Sequence, residues 1–319
     1  MFAIDDKWVW DFWLVQDKDV WHLYYLQAPK SLVNPELRHW NVTFGHATSK
    51  NLIDWENKGT CFTPATQPSW DDYTTWTGSV IQADGFGHLF YTGTSRSENG
   101  TKQRIGHAVS KDLHTWSRVG TGLALDINPE YYEEYTPSWW HDRAMRDPCV
   151  IANPNGKGWL MYYTARIADT KTPNDGGAIG LATSPDLVEW HHHKPIYSGD
   201  FGQLEVPQVF EYKGHWYCLY CTLSENWSQS YTNKTGGPKV SGTHYLIADS
   251  HLGPWKNAPG LFFDGANPCY RYAGKIIKIN DSLKFIGFID KNLQGEFVGA
   301  ISDPIDVSVL DDGQLKIID

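Results

Sequence analysis

Five segments of this chain repeat one pattern, an alanine followed two residues later by a serine. They are GHATSKNLIDW from Gly45, GHAVSKDLHTW from Gly106, GLATSPDLVEW from Gly180, YLIADSHLGPW from Tyr245 and GAISDP from Gly299. The alanines 47, 108, 182, 248 and 300 are spaced by 61, 74, 66 and 52 residues, and in the first four copies a tryptophan follows at a near-constant distance. Repetition at that period means one supersecondary unit used five times, because a unit of this size cannot bury its apolar face without a neighbour.

Each copy is preceded by an aromatic-rich apolar run (VWHLYYLQ, GHLFYTGT, GWLMYYTA, HWYCLYCT, LKFIGFID). Before that lies another apolar run (DFWLVQ, GSVIQA, DPCVIAN, VPQVFEY and, more weakly, CYRYAGK). Gly, Asn and Asp fill the joints, so each unit reads as three strands, with a fourth after the tryptophan. No long helical periodicity competes. Five four-stranded antiparallel sheets in one chain predict an all-β fold, a single five-bladed β-propeller over residues 1–319 with no C-terminal β-sandwich.

In a propeller the first strand of each blade lines the central channel, so the heads of those strands point to the axis. The pattern places Asp11, Trp76, Asp147, Glu205 and Asn267 there. Three of the five are carboxylates. Singly each has an ordinary reading: Asp147 before Pro148 as a turn former, Arg146 as its neutraliser, Asp11 as a strand-end cap. Together, acids at the heads of three apolar strands lose solvation at one place, as expected of a site. Glycosidic cleavage needs such a set, one acid to protonate the leaving oxygen and a second to attack carbon or activate water.

Composition narrows the partner. A formal charge of -10 repels phosphate backbones and anionic lipid, which excludes nucleic acid and membrane surfaces, and no apolar run reaches the roughly 18 residues of a membrane span. The 16 Trp, 17 Tyr and 13 Phe suit a β-rich core and stacking on sugar rings, so a small carbohydrate is the expected partner; oligomeric state is left open. Five scattered cysteines and an N-terminus without a basic-then-apolar signal predict reduced thiols and a cytoplasmic location. Cys218 and Cys221 form C-x-x-C, but on a strand, where residues three apart face opposite sides; His191 to His193 read as a solvated loop. No metal site is expected from either.

At these residues the sequence resembles glycoside hydrolase families 32 and 68, which comprise fructan- and sucrose-active enzymes. HWNVTFGHATSKNLIDWE resembles a family 32 segment, WTGSV the Trp-Ser-Gly-Ser motif, MRDP the Arg-Asp-Pro triplet, and VWDFW and LEVPQ two family 68 motifs. The resemblance implies a retaining mechanism with Asp11 as nucleophile, Glu205 as acid/base and Asp147 as transition-state stabiliser. Trp10, Trp76, Ser79, Arg146 and Gln203 would shape the sugar subsites. It implies no cofactor, though a structural calcium at Asp71-Asp72 or Glu133-Glu134 stays open beside the reading of these acids as solvated. Trp-Asp-Phe-Trp around Asp11, Val206 in place of arginine and Gln203 in place of a glutamate depart from the family patterns around the outer subsite. The rival readings are an inverting family 43-like arabinofuranosidase or xylosidase and a non-catalytic glycan-binding propeller.

Overall fold

The computed structural model describes residues 1–135 and 140–318. Blade 1 comprises β1 (Lys7–Asp17), β2 (Val20–Pro29), β3 (Thr43–Ser49) and β4 (Glu56–Phe62). Blade 2 comprises β5 (Thr74–Ala83), β6 (Phe86–Thr94), β7 (Arg104–Ser110) and β8 (Ser117–Leu125). Blade 3 has β9 (Met145–Ala152), β10 (Trp159–Arg166), β11 (Gly177–Ser184) and β12 (His191–Ser198). Blade 4 has β13 (Glu205–Tyr212), β14 (His215–Thr222), β15 (Ser241–Ala248), β16 (Lys256–Asn257) and β17 (Asp264–Ala266). Blade 5 has β18 (Arg271–Ile279), β19 (Ser282–Lys291), β20 (Phe297–Ile301), β21 (Ile305–Val309) and β22 (Leu315–Ile318). Strands pair in sequence order and antiparallel, giving the expected five-bladed β-propeller. The Phe2 amide and carbonyl both bond Ile301, tying the start of the chain to β20.

The repeat has a local physical cause in blades 1 to 3. Its glycine lies under a tyrosine ring of the neighbouring strand: a Cβ on Gly45, Gly106 or Gly180 would meet Tyr25, Tyr91 or Tyr163 at 2.0, 2.3 or 2.2 Å. Its alanine pairs with the second strand at Leu23, Leu89 and Met161. The hydroxyls of Ser49, Ser110 and Ser184 accept amide N–H groups of the turn that follows. Asn51, Asp112 and Asp186 then accept the next two. These are the side-chain-to-backbone bonds that stabilise tight turns.

The last two copies are not in register with the first three. Counted from the irregularity in the inner strand, Leu246 stands where Ala47 does, and Ala248 pairs with Trp216, two residues further on. In blade 5 the third strand is broken into β20 and β21, Ala300 pairs with Ile289, and Ile305 takes the place of Ala47. The Ala-x-Ser match there is one of composition and not of position. The expected start of the fifth inner strand at Asn267 is also displaced: β18 begins at Arg271. His191 to His193 are in β12 and not a loop, with His192 held by the Asp126 carbonyl at 2.7 Å and the Tyr163 hydroxyl at 3.0 Å.

Gly106→Ala should destabilise the protein by on the order of 1 to 3 kcal/mol, since the buried Tyr91 ring has nowhere to move. Gly237→Ala, where a Cβ meets nothing within 4 Å, should change stability by less than about 0.5 kcal/mol. Urea unfolding of the two variants is the check; equal effects would remove the tyrosine-over-glycine contact as the reason for the repeat.

Candidate active site

Every inner strand carries an irregularity at the same height. The register skips between Trp10 and Phe12 in β1 and between Trp76 and Gly78 in β5. It skips opposite Tyr163 in β9, between Glu205 and Gln208 in β13, and between Tyr272 and Lys275 in β18. A β-bulge breaks the alternation of a strand, so successive side chains can both turn toward the axis. Asp147, Val206 and Ala273 take left-handed φ values of 56°, 53° and 49°. Pro148 and Pro207 sit in two of the bulges, where the ladder needs no N–H.

The bulges sort the funnel into levels. The residues before them are Trp10, Trp76, Arg146, Glu205 and Tyr272; the bulged residues are Asp11, Thr77, Asp147, Val206 and Ala273. Asp11 and Asp147 are thus equivalent, whereas Glu205 belongs one residue earlier, level with Arg146. The acids therefore stand at two heights.

Neighbouring blades hold each acid. Glu205 lies between Arg146, whose Nη2 donates to Oε1 at 2.6 Å, and Tyr272, whose hydroxyl donates to Oε2 at 2.5 Å. Asp147 accepts the Thr164 hydroxyl and the Val206 N–H on one oxygen, both at 3.0 Å, while Arg146 Nε stands 3.5 Å away. Asp11 accepts the Thr77 hydroxyl at 2.5 Å. Arg146 also donates to Gln203 and Gln103.

The charges follow from this placement. Desolvation, then the neighbouring Asp147, push Asp11 up to about 7. Desolvation also raises Asp147, with Arg146 opposing. Desolvation works against the Arg146 charge but its three carboxylate neighbours raise its pKa well above the usual value. The same carboxylate, Glu205, helps raise Tyr272, after desolvation, so its phenol is a donor at any ordinary pH.

The other sequence-expected residues divide. Trp10 is buried and packs edge-on to His39 with ring centroids 6.0 Å apart, and the Trp76 indole donates to the His39 carbonyl at 2.9 Å. Both indoles therefore anchor the 3₁₀ segment Pro35–Trp40 beside the funnel. Gln203 reaches the site through Arg146. Ser79 lies two residues beyond the bulged Thr77, lines the axial cavity with Thr77 and Asp147, and accepts the Val150 N–H at 3.3 Å, a tie between blades 2 and 3. Sequence reasoning missed Thr77, Tyr272 and Lys275. The signal for Thr77 was the Thr-Gly after Trp76, aligned with Asp11-Phe12; for Tyr272 it was Tyr-Ala-Gly, masked by the misplaced strand start.

The acid pairs left open as calcium ligands have protein partners. Asp71 is buried and accepts Arg118 and the Tyr91 hydroxyl, and Asp72 accepts the Arg96 N–H. Glu133 pairs with Arg166 and Glu134 with Arg143. Cys218 and Cys221 are buried in β14, and all five cysteines are unpaired. No helix among the described residues is long and apolar enough to cross a membrane.

A five-bladed propeller with three carboxylates and an arginine converging on its axis is an architecture for glycosidic chemistry. The chain belongs to the family described as Glycosyl hydrolases family 32 N-terminal domain, which it matches over residues 8–255. It is 30% identical over 172 residues to a sucrose-6-phosphate hydrolase of Pediococcus pentosaceus, covering 53% of this chain and 29% of that protein. It is 32% identical over 200 residues to the insoluble β-fructofuranosidase isoenzyme CWINV2 of Arabidopsis thaliana, covering 60% and 30%. The matched stretch thus spans about a third of the length of these relatives. The fold superposes on the inulosucrase of Halalkalicoccus jeotgali bound to kestose with a TM-score of 0.81 at 20% identity, covering 98% of this chain and 87% of that one. For Bacillus subtilis levansucrase the TM-score is 0.75 at 14% identity, covering 98% and 86%.

Asp11→Asn should stabilise the fold at neutral pH. The carboxyl's folded pKa lies above its unfolded value of 3.8, so its charge costs nothing below about pH 3.8, a growing amount up to pH 7, and the full amount above. Because the group keeps an open side to the funnel, we expect a gain on the order of 1 to 3 kcal/mol at pH 8. Thermal melts at pH 4 and pH 8 measure it; a gain independent of pH would contradict the assignment.

Proposed function

We propose that this protein cleaves or transfers β-fructofuranosyl units through a covalent fructosyl-enzyme. The observation that carries the reading is the convergence of Asp11, Asp147 and Glu205 at the five bulges. Family membership supports the chemistry, and the names of the relatives, a sucrose-6-phosphate hydrolase, β-fructofuranosidases and levansucrases, support the substrate class.

Asp11 attacks the anomeric carbon, Glu205 protonates the leaving oxygen and then activates water, and Asp147 holds ring hydroxyls while positive charge develops. Asp11 is pushed up to about 7, first by desolvation and then by the neighbouring Asp147, with the Thr77 hydroxyl opposing, so hydroxyl donors from the sugar ring would favour the anion that attacks. Glu205 accepts from Arg146 and Tyr272, and a sugar oxygen seated at this carboxyl would take the place of one of them. The unpaired thiols support a reducing, cytoplasmic setting.

Glu205→Ala should lose activity on sucrose by about a thousandfold or more, and far less on an aryl fructoside whose leaving group departs unaided. Azide should restore turnover of the aryl substrate, since a small anion opens the intermediate without a base. Asp147→Ala should fail on both substrates and ignore azide. Identical responses by the two variants would overturn these roles, and inactivity of the parent on sucrose, inulin and levan would overturn the substrate class.

A further inference from the structure

Two residues below the bulged level, a third ring faces the axis, made of Trp13, Ser79, Cys149, Gln208 and Lys275. All five line the same axial cavity of about 270 Å³, which Thr77 and Asp147 also border from above. Lys275 is the one charged member of the ring. The residue is 7% exposed, and its Nζ donates to the Val206 carbonyl at 3.1 Å. An ammonium has three N–H groups, and burying it is costly unless an anion compensates.

Val206 is the reason this contact matters. A β-branched residue at φ 53° is strained, and persists only where its surroundings hold it. Its N–H donates to Asp147 and its C=O accepts Lys275, so the strained residue is fixed from both sides. The residue before it is Glu205. A shift of this bulge would move the acid and withdraw a donor from Asp147 together.

The electrostatics point the same way. Arg146 contacts Glu205 and Asp147, whereas the charged groups acting on Asp11 are Asp147, Glu205 and Lys275. Burial lowers the Lys275 pKa, and Cys149, Cys221, Asp147 and Asp11 act against that desolvation; burial keeps both thiols neutral. The carboxyls among these opposing groups are the two aspartates.

We propose that Lys275 is a positioning residue of the funnel: its ammonium holds the left-handed Val206 bulge by the carbonyl and supplies the positive charge that the Asp11 and Asp147 carboxylates face. It touches no substrate. The proposal rests on the nucleophile reading for its kinetic arm and is independent of it for its stability arm.

The experiment compares Lys275→Met, which keeps the length without the charge, with Lys275→Arg, which keeps the charge. With sucrose as substrate, Lys275→Met should displace the acidic limb of the kcat/KM profile upward by about one pH unit and lower kcat about tenfold at pH 6, with KM changed less than about threefold. Lys275→Arg should keep the limb of the parent. An acidic limb unmoved in Lys275→Met overturns the proposal. The second arm needs no activity: melting midpoints at pH 7 for the parent, Asp11→Asn, Lys275→Met and the double variant. If Lys275 compensates Asp11, its replacement shifts the midpoint less favourably in the parent than beside Asp11→Asn, by roughly 3 °C or more. Should Lys275→Met not fold, the double variant should recover the fold; failure to recover it, or equal shifts in both backgrounds, would make Lys275 a packing residue and overturn the proposal. Loss of the kinetic arm through an inactive parent, with the coupling intact, would count against the substrate reading and not against Lys275.

Discussion

The functional end of this propeller depends on one backbone irregularity repeated five times. A regular inner strand would show the axis every second residue, and Arg146 and Asp147 could not both reach it. The bulges allow this, and they do so at one height. The consequence is a site built in levels: indoles, arginine, tyrosine and Glu205 above, two aspartates below, and a lysine beneath these. Each acid is held by the neighbouring blade, so the geometry belongs to the ring and not to any one sheet.

Concentrating three carboxylates at an axis is electrostatically unfavourable, and the surroundings distribute the cost unevenly. Arg146 serves Glu205 and Asp147 at 2.6 and 3.5 Å. Asp11 has a hydroxyl and a more distant cation, and it is the acid pushed up to about 7. A fold selected for stability would not keep that arrangement. Clustered, perturbed acids in a concave site are the mark of catalysis, where instability of the empty site is the price of stabilising a charged transition state.

The fold was legible because its repeat is a physical device. Gly-x-Ala-x-Ser specifies a ring over a bare backbone, a paired small residue and a turn capped by side chains, all local and therefore readable. It faded in blades 4 and 5, where His244 faces Tyr220 in the glycine's place and the third strand of blade 5 breaks at Ser302 to Pro304. The acids were legible as hydrophilic heads on apolar strands. Their heights were not, because a bulge shifts register by one residue without leaving a mark in a pattern of period two; hence Glu205 was grouped with the aspartates and Tyr272 was overlooked. Ser79 illustrates the converse, a motif residue whose hydroxyl ties two blades. Lys275 was invisible, since a lysine in an apolar strand reads as an exposed position until the axis is known.

The account turns on Asp11 being the residue that attacks carbon. The most direct measurement is to react the Glu205→Ala variant with an activated aryl fructoside, quench with acid, and map the adduct by peptide mass spectrometry. The account predicts one fructosyl unit on the peptide that carries Asp11, absent when Asp11 is also replaced by Asn. A fructosyl unit on Asp147, or turnover of the aryl substrate by the Asp11→Asn/Glu205→Ala protein at the rate of Glu205→Ala, would contradict it.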